Sequence, residues 1–219
     1  MRIARLTCTL LLGSACVRSV HAQRPGMAPG AFPPADGRTP LSPAARQAIA
    51  RLGDSLRAAR LPDAPLYSKA AEGVLKGADE TRILAAVRTL ARELGEARAS
   101  LGANADEAEL TAGASALHVG ATAAMLAQLR DTQRSAGGDN RSLAVPLVAL
   151  VDLLARRVPA PMATAAIDSL VAQRAPAEDF AAFRAAVKDD ILAGRTPEAA
   201  VRARTLGLPH NSEGRLRTP

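Results

Sequence analysis

The sequence predicts an all-α protein: about nine helices in stacked helix-hairpin repeats, either α-solenoid-like or an irregular bundle, behind a disordered N-terminal segment. Three observations predict it. Aromatic residues are 2% of the 219 residues, so a core must be built from Ala, Leu, Val and Ile. Alanine is the best helix former, whereas a sandwich or barrel would draw on β-branched and aromatic residues. The hydrophobic share is 48%, too high for a chain that is disordered throughout. Finally, the stretch VLKGADETRILAAVRTL at 74–90 returns in outline as ILAGRTPEAAVRARTL at 191–206, each a helix end, a turn and a helix start.

Residues 1–22 read as a signal peptide. Arg2 and Arg5 precede an apolar run near 6–17, and Val20-His21-Ala22 presents small residues at −3 and −1 of a cleavage site between Ala22 and Gln23. The run is too short to anchor in a bilayer, and no later stretch reaches the ~18 apolar residues of a transmembrane helix. The rival route is lipoprotein processing at Cys16, after Gly13-Ser14-Ala15. It lacks the usual Leu three residues before the cysteine, and the expected localisation is exported, periplasmic or secreted. Cys8 and Cys16 are the only cysteines, so cleavage leaves no disulfide, thiol nucleophile or Cys metal ligand. Cleavage also removes Arg2, Arg5 and Arg18, leaving 25 basic against 21 acidic residues, interspersed along the chain. With so few aromatics for base stacking, no nucleic-acid partner is expected.

Residues 23–40, QRPGMAPGAFPPADGRTP, form the expected disordered linker. The helical repeat domain is placed at 41–207. Ser42 can cap the first helix and Pro43 suits its first turn; Leu61-Pro62-Asp63-Ala64-Pro65 stops it near Arg60. The repeat then appears as four turn anchors: Gly77, Gly120, Arg157 and Gly194, at intervals of 43, 37 and 37 residues. Seven residues before each anchor stand Ala70, Gly113, Leu150 and Val187, and three before stand Val74, Leu117, Leu154 and Ile191, the i, i+4 contact of an amphipathic helix. Six residues after come Ile83, Leu126, Ala163 and Ala200. The next apolar turn is read at Val87, Leu129 and Ile167, with Ala203 and Leu206 closing the last copy. Hairpins of about 37 residues fall in the range of α-solenoid repeats, and one hairpin cannot bury its own apolar face. Tetratricopeptide and ankyrin signatures are missing.

The six extra residues of the first interval extend the helix after Asp79. Ile83, Val87, Leu90, Leu94, Ala97 and Leu101 make a near-heptad stripe that is either an intramolecular spine or a dimer seam. A linker is read at Gly137-Gly138-Asp139-Asn140 and a flexible tail at 208–219. The stretch LPDAPLYSKAAEGVLKG, 61–77, resembles a pattern in uncharacterised exported helical proteins of high-GC bacteria, a source that the Ala- and Arg-rich composition fits. The resemblance implies no known activity and transfers no catalytic residue.

Candidate chemistry is sparse. After cleavage the histidines are His118, at a helix end where the dipole favours a cation, and His210 in the tail. Two distant histidines without cysteine assemble no zinc site, and no Gly-x-Ser-x-Gly elbow or phosphate loop is present, so no metal, cofactor or catalytic residue is assigned. Five residues before the anchors stand Glu72, Ser115, Asp152 and Asp189. Glu72, Asp152 and Asp189 read either as a solvated outer face or as an acidic ridge that binds a basic partner. The expected role is a non-catalytic interaction or scaffold protein of the periplasm or cell envelope with a protein or peptide partner. The alternatives are a carboxylate-dependent enzyme acting on an envelope polymer and a membrane-anchored lipoprotein.

Overall fold

The left-handed residues that end the helices organise the whole chain. The computed structural model describes residues 41–137 and 141–206, and these contain nine helices and no strand. They are α1 (Pro43–Ala58), α2 (Ala64–Leu75), α3 (Glu80–Leu101), α4 (Glu107–His118), α5 (Ala123–Ser135), α6 (Ala144–Ala155), α7 (Ala160–Ala172), α8 (Ala177–Leu192) and α9 (Pro197–Thr205). The expected signal peptide with Ala22 and Gln23, both cysteines, the linker 23–40, residues 138–140 and the tail with His210 lie outside the described residues.

All four anchors take positive φ: 67° at Gly77, 107° at Gly120, 64° at Arg157 and 92° at Gly194. Each closes an even-numbered helix in the same way. The anchor N–H donates to the carbonyl three residues back, and the following N–H donates to the carbonyl five residues back, all at 2.8–3.1 Å. That pair of bonds is the Schellman closure, which satisfies carbonyls a helix end would otherwise leave open. A second series of left-handed residues ends the odd-numbered helices: Arg60, Gly102, Gly137 and Arg174. Arg60 and Arg174 carry the same two closing bonds.

Helix starts are equally local. The side chains of Ser42, Asp79, Thr122 and Thr196 accept from a backbone N–H three residues on, and Asp106 with Glu109 forms a reciprocal capping box. Some of these acids also reach a neighbouring helix. The Glu80 carboxylate accepts from the Ser42 N–H at 2.8 Å and hydroxyl at 2.9 Å, and Glu109 accepts from the Leu143 N–H at 2.6 Å.

The helices stack in two layers. Odd helices pack in the order α1, α3, α5, α7, α9; even helices α4, α6 and α8 pack side by side in the other layer. The 22-residue α3 touches α1, α2, α4 and α5, and its stripe is buried within the chain, apart from a partly buried Leu90. The stripe is therefore an intramolecular spine. The expected pattern of burial holds at the positions seven before and six after each anchor, all eight of which are buried. It fails at the end of the last copy: Ala203 and Leu206 are exposed, and Val201 is buried in their place. The physical reason is Arg204, one turn past Ala200, which pairs bidentately with the buried Asp190 at 2.7 and 2.8 Å and holds α9 against α8 by charge. Asp190 is 8% exposed and also faces Arg195 at 3.9 Å.

Arginines join one repeat to the next. Arg98 of α3 donates to the Arg60 carbonyl at 2.9 Å, Arg130 of α5 to the Ser100 carbonyl at 2.5 Å, and Arg141 to the Arg174 carbonyl at 2.8 Å. Each supplies a donor to a helix C-terminus that ends one repeat away.

Candidate functional site, a cleft over α4

The two-layer stack has one irregularity. Helices α4 and α6 pack directly, as do α6 and α8, but α2 and α4 make no comparable contact. Between them α3 forms a floor, and a cleft of about 530 Å³ opens above it. The helices are held apart where the first repeat interval is six residues longer than the others, and the extra length lies in α3.

The walls are built from small and polar residues. Helix α4 presents Thr111, Ala114 and Ser115 to the cleft, within the run Thr-Ala-Gly-Ala-Ser-Ala at 111–116. Ala86 and Leu90 of α3 give an apolar floor, and Val151 reaches the cleft from α6 across the thin α4. Three carboxylates line it: Glu72 from α2, Glu93 from α3 and Glu107 from the first residue of α4.

Their surroundings differ. Glu72 accepts from Lys76 and, at 3.1 Å, from Lys69; the two ammonium groups hold its carboxyl below the usual carboxylate range. Glu93 is 7% exposed and meets the imidazole Nδ1 of His118 at 3.1 Å. A buried carboxylate needs such a partner, and this one fixes the ring of a histidine that is itself mostly exposed. Glu107 is exposed and pairs with no cation among the described residues.

The acidic row read from the sequence is divided by this geometry. Glu72 and Ser115 enter the cleft, while Asp152 and Asp189 do not. Asp152 lies between two arginines, with Arg156 at 3.1 and 3.2 Å and Arg184 of α8 at 3.4 Å. Burial pushes its carboxyl up, but the two guanidinium groups outweigh that and leave it below the ordinary value. Asp152 thus ties α8 to α6. Asp189 stands exposed on α8.

Comparison with protein-family models, curated proteins and solved structures found no match. The residues alone must carry the functional reading. Among the described residues no group of three or more His, Cys, Asp or Glu is arranged to hold a metal ion, and no helix is long and apolar enough to cross a membrane. The sequence reading missed Glu93 and Glu107. Glu93 lies three residues after Leu90 and four before Ala97, so the helical period places it beside the stripe, and that spacing is the sequence signal that it faces inward.

Proposed function

We propose that this chain is an exported, non-catalytic interaction module of the bacterial envelope, and that it holds a segment of a partner protein in the cleft between α2 and α4. The cleft carries this reading. An apolar floor beneath a polar rim, set between rigid helices, is the arrangement that favours binding of a peptide or side-chain cluster. Stacked hairpins commonly present such extended surfaces to protein partners. A carboxylate enzyme would need two carboxylates flanking one scissile bond. Of the acids read from the sequence, Glu72 and Asp152 are each matched by two cations and only Glu72 borders the cleft; of the other two cleft carboxylates, Glu93 is held by His118 at one end of α4 and Glu107 stands at the other end.

Affinity capture tests the reading. The chain from residue 23 is immobilised and exposed to the envelope fraction of the producing organism. A specific partner is expected on the wild type and should be lost on Ala86→Trp, which fills the cleft floor from a partly buried position. An identical set of retained proteins on both baits defeats the proposal, as does turnover of a cell-wall polymer without any partner. Export is checked separately by mass spectrometry of the mature N-terminus. A chain beginning at Gln23 is expected, and an acylated Cys16 would establish the lipoprotein route.

A further inference from the structure

Resting on the interaction reading of the same cleft, we infer that its partner is a basic amphipathic peptide segment. Basic side chains would lie along α4 among Glu93 and Glu107, and apolar ones against the valines of α6. Two independent features point there.

The first is charge. The chain as a whole is basic, yet three glutamates and one lysine, Lys69, line this cleft, together with His118. Glu72 is already matched by Lys69 and Lys76. Glu93 meets only an imidazole, and Glu107 meets no cation among the described residues. Glu107 and His118, whose ring Glu93 meets, are the first and last residues of α4, about 16 Å apart along its axis. A ligand that answers both needs cations spaced by roughly three helical turns, or by about five residues of extended chain.

The second is an apolar stripe continuous with the cleft. On α6, Val148 is 44% exposed, and Val151, three residues further, lines the cleft. Residues three apart share one helix face, so these two valines form a short ridge beside the cleft. The thin surface of α4, with Thr111, Ala114 and Ser115, leaves the space between ridge and cleft open. A peptide lying there would bury apolar side chains on Val148 and Val151 while its basic residues met the carboxylates.

The test is fluorescence anisotropy with a labelled Leu/Lys amphipathic peptide and a Leu/Glu counterpart of identical apolar pattern. Saturable binding of the Leu/Lys peptide is expected, about tenfold or more tighter than the Leu/Glu peptide and weakening as salt is raised. Glu107→Lys and Val148→Lys, both at exposed positions, should each weaken binding about fivefold, the first with a thermal midpoint lowered by a few degrees because it puts a cation at the N-terminus of α4 and the second with unchanged thermal unfolding, while Glu96→Lys, on the exposed part of α3 outside the cleft, should not weaken it. Equal binding of the two peptides, no saturable binding of the Leu/Lys peptide, or equal losses from Glu96→Lys and Glu107→Lys would overturn the inference. Adding the Leu/Lys peptide to the capture experiment separates the two readings. A partner lost on Ala86→Trp but not displaced by the peptide leaves the interaction module standing and removes the basic ligand. Absence of both captured partner and peptide binding removes both.

Discussion

Helices α4 and α6 occupy the same place in successive repeats and differ mainly in side-chain size. Aligned on their anchors, Thr111, Gly113, Ala114 and Ala116 of α4 face Val148, Leu150, Val151 and Leu153 of α6. Both helices end in the same left-handed closure, and both Gly113 and Leu150 are buried. The volume missing on α4 is made up by its neighbours. Leu101, Ala97 and Leu126 crowd the place where a Cβ on Gly113 would sit, at 3.0, 3.1 and 3.2 Å. Backbone closure therefore keeps the repeat, while side-chain volume decides how closely neighbouring helices approach it.

The sharpest way to break this contrast is to thin α6. Leu150→Ala removes a fully buried side chain from a helix flanked by α4 and α8, and unfolding stability measured in urea should fall by about 3 kcal/mol. The reverse exchange, Gly113→Leu, gives α4 the side chain of its counterpart. Helix propensity favours it, but the contacts at 3.0–3.2 Å cannot yield enough, and a net loss of about 2 kcal/mol is expected in the same measurement. A stability equal to wild type would show that α3 can move aside and that packing volume does not set the spacing.

The closures provide a smaller test. Arg157 holds φ 64° where the equivalent residues are glycines, and its side chain makes no ion pair among the described residues. Arg157→Gly should raise stability by about 1 kcal/mol, seen as a higher denaturation midpoint. The mildest effect concerns the last repeat. Arg204 holds the Asp190 carboxyl below its ordinary value, so the stabilisation is fully present above about pH 4 and is lost as pH falls through the lowered folded value. Amide exchange in α9 should be faster in Asp190→Asn than in wild type at neutral pH, and the two rates should converge in acid. A difference that persists at low pH would show that the ion pair is not what holds α9.

Much of this architecture was legible in the sequence because it is local. Glycine at three anchors and a shared apolar register predicted the even-helix turns, including Arg157. Among the odd-helix turns, the stop near Arg60 and the linker at Gly137 were read, but the left-handed closures at Arg60 and Arg174 were not, because arginine carries no left-handed signature by itself. The tripeptides Arg60-Leu61-Pro62, Arg157-Val158-Pro159 and Arg174-Ala175-Pro176 do carry one. Each combines a left-handed residue, an apolar residue that covers the helix end, and a proline that prevents the helix from continuing. The cleft was less legible. Six added residues in α3 were visible, but the separation of α2 from α4 depends on packing between helices 40 residues apart. The last copy misled for a related reason. Apolar Ala203 resembled a core position until Arg204 found a buried carboxylate to pair with.

The bonds that join the repeats also bear on how the chain acquires its structure. Side-chain hydrogen bonds between helices, among the described residues, connect positions 14 to 40 apart, from Arg204–Asp190 at the short end to Gln128–Asp168 at the long end. No helix has to wait for a partner at the far terminus. Chains with such short-range connectivity lose little loop entropy before each contact forms, so folding should be fast, with hairpins docking one after another.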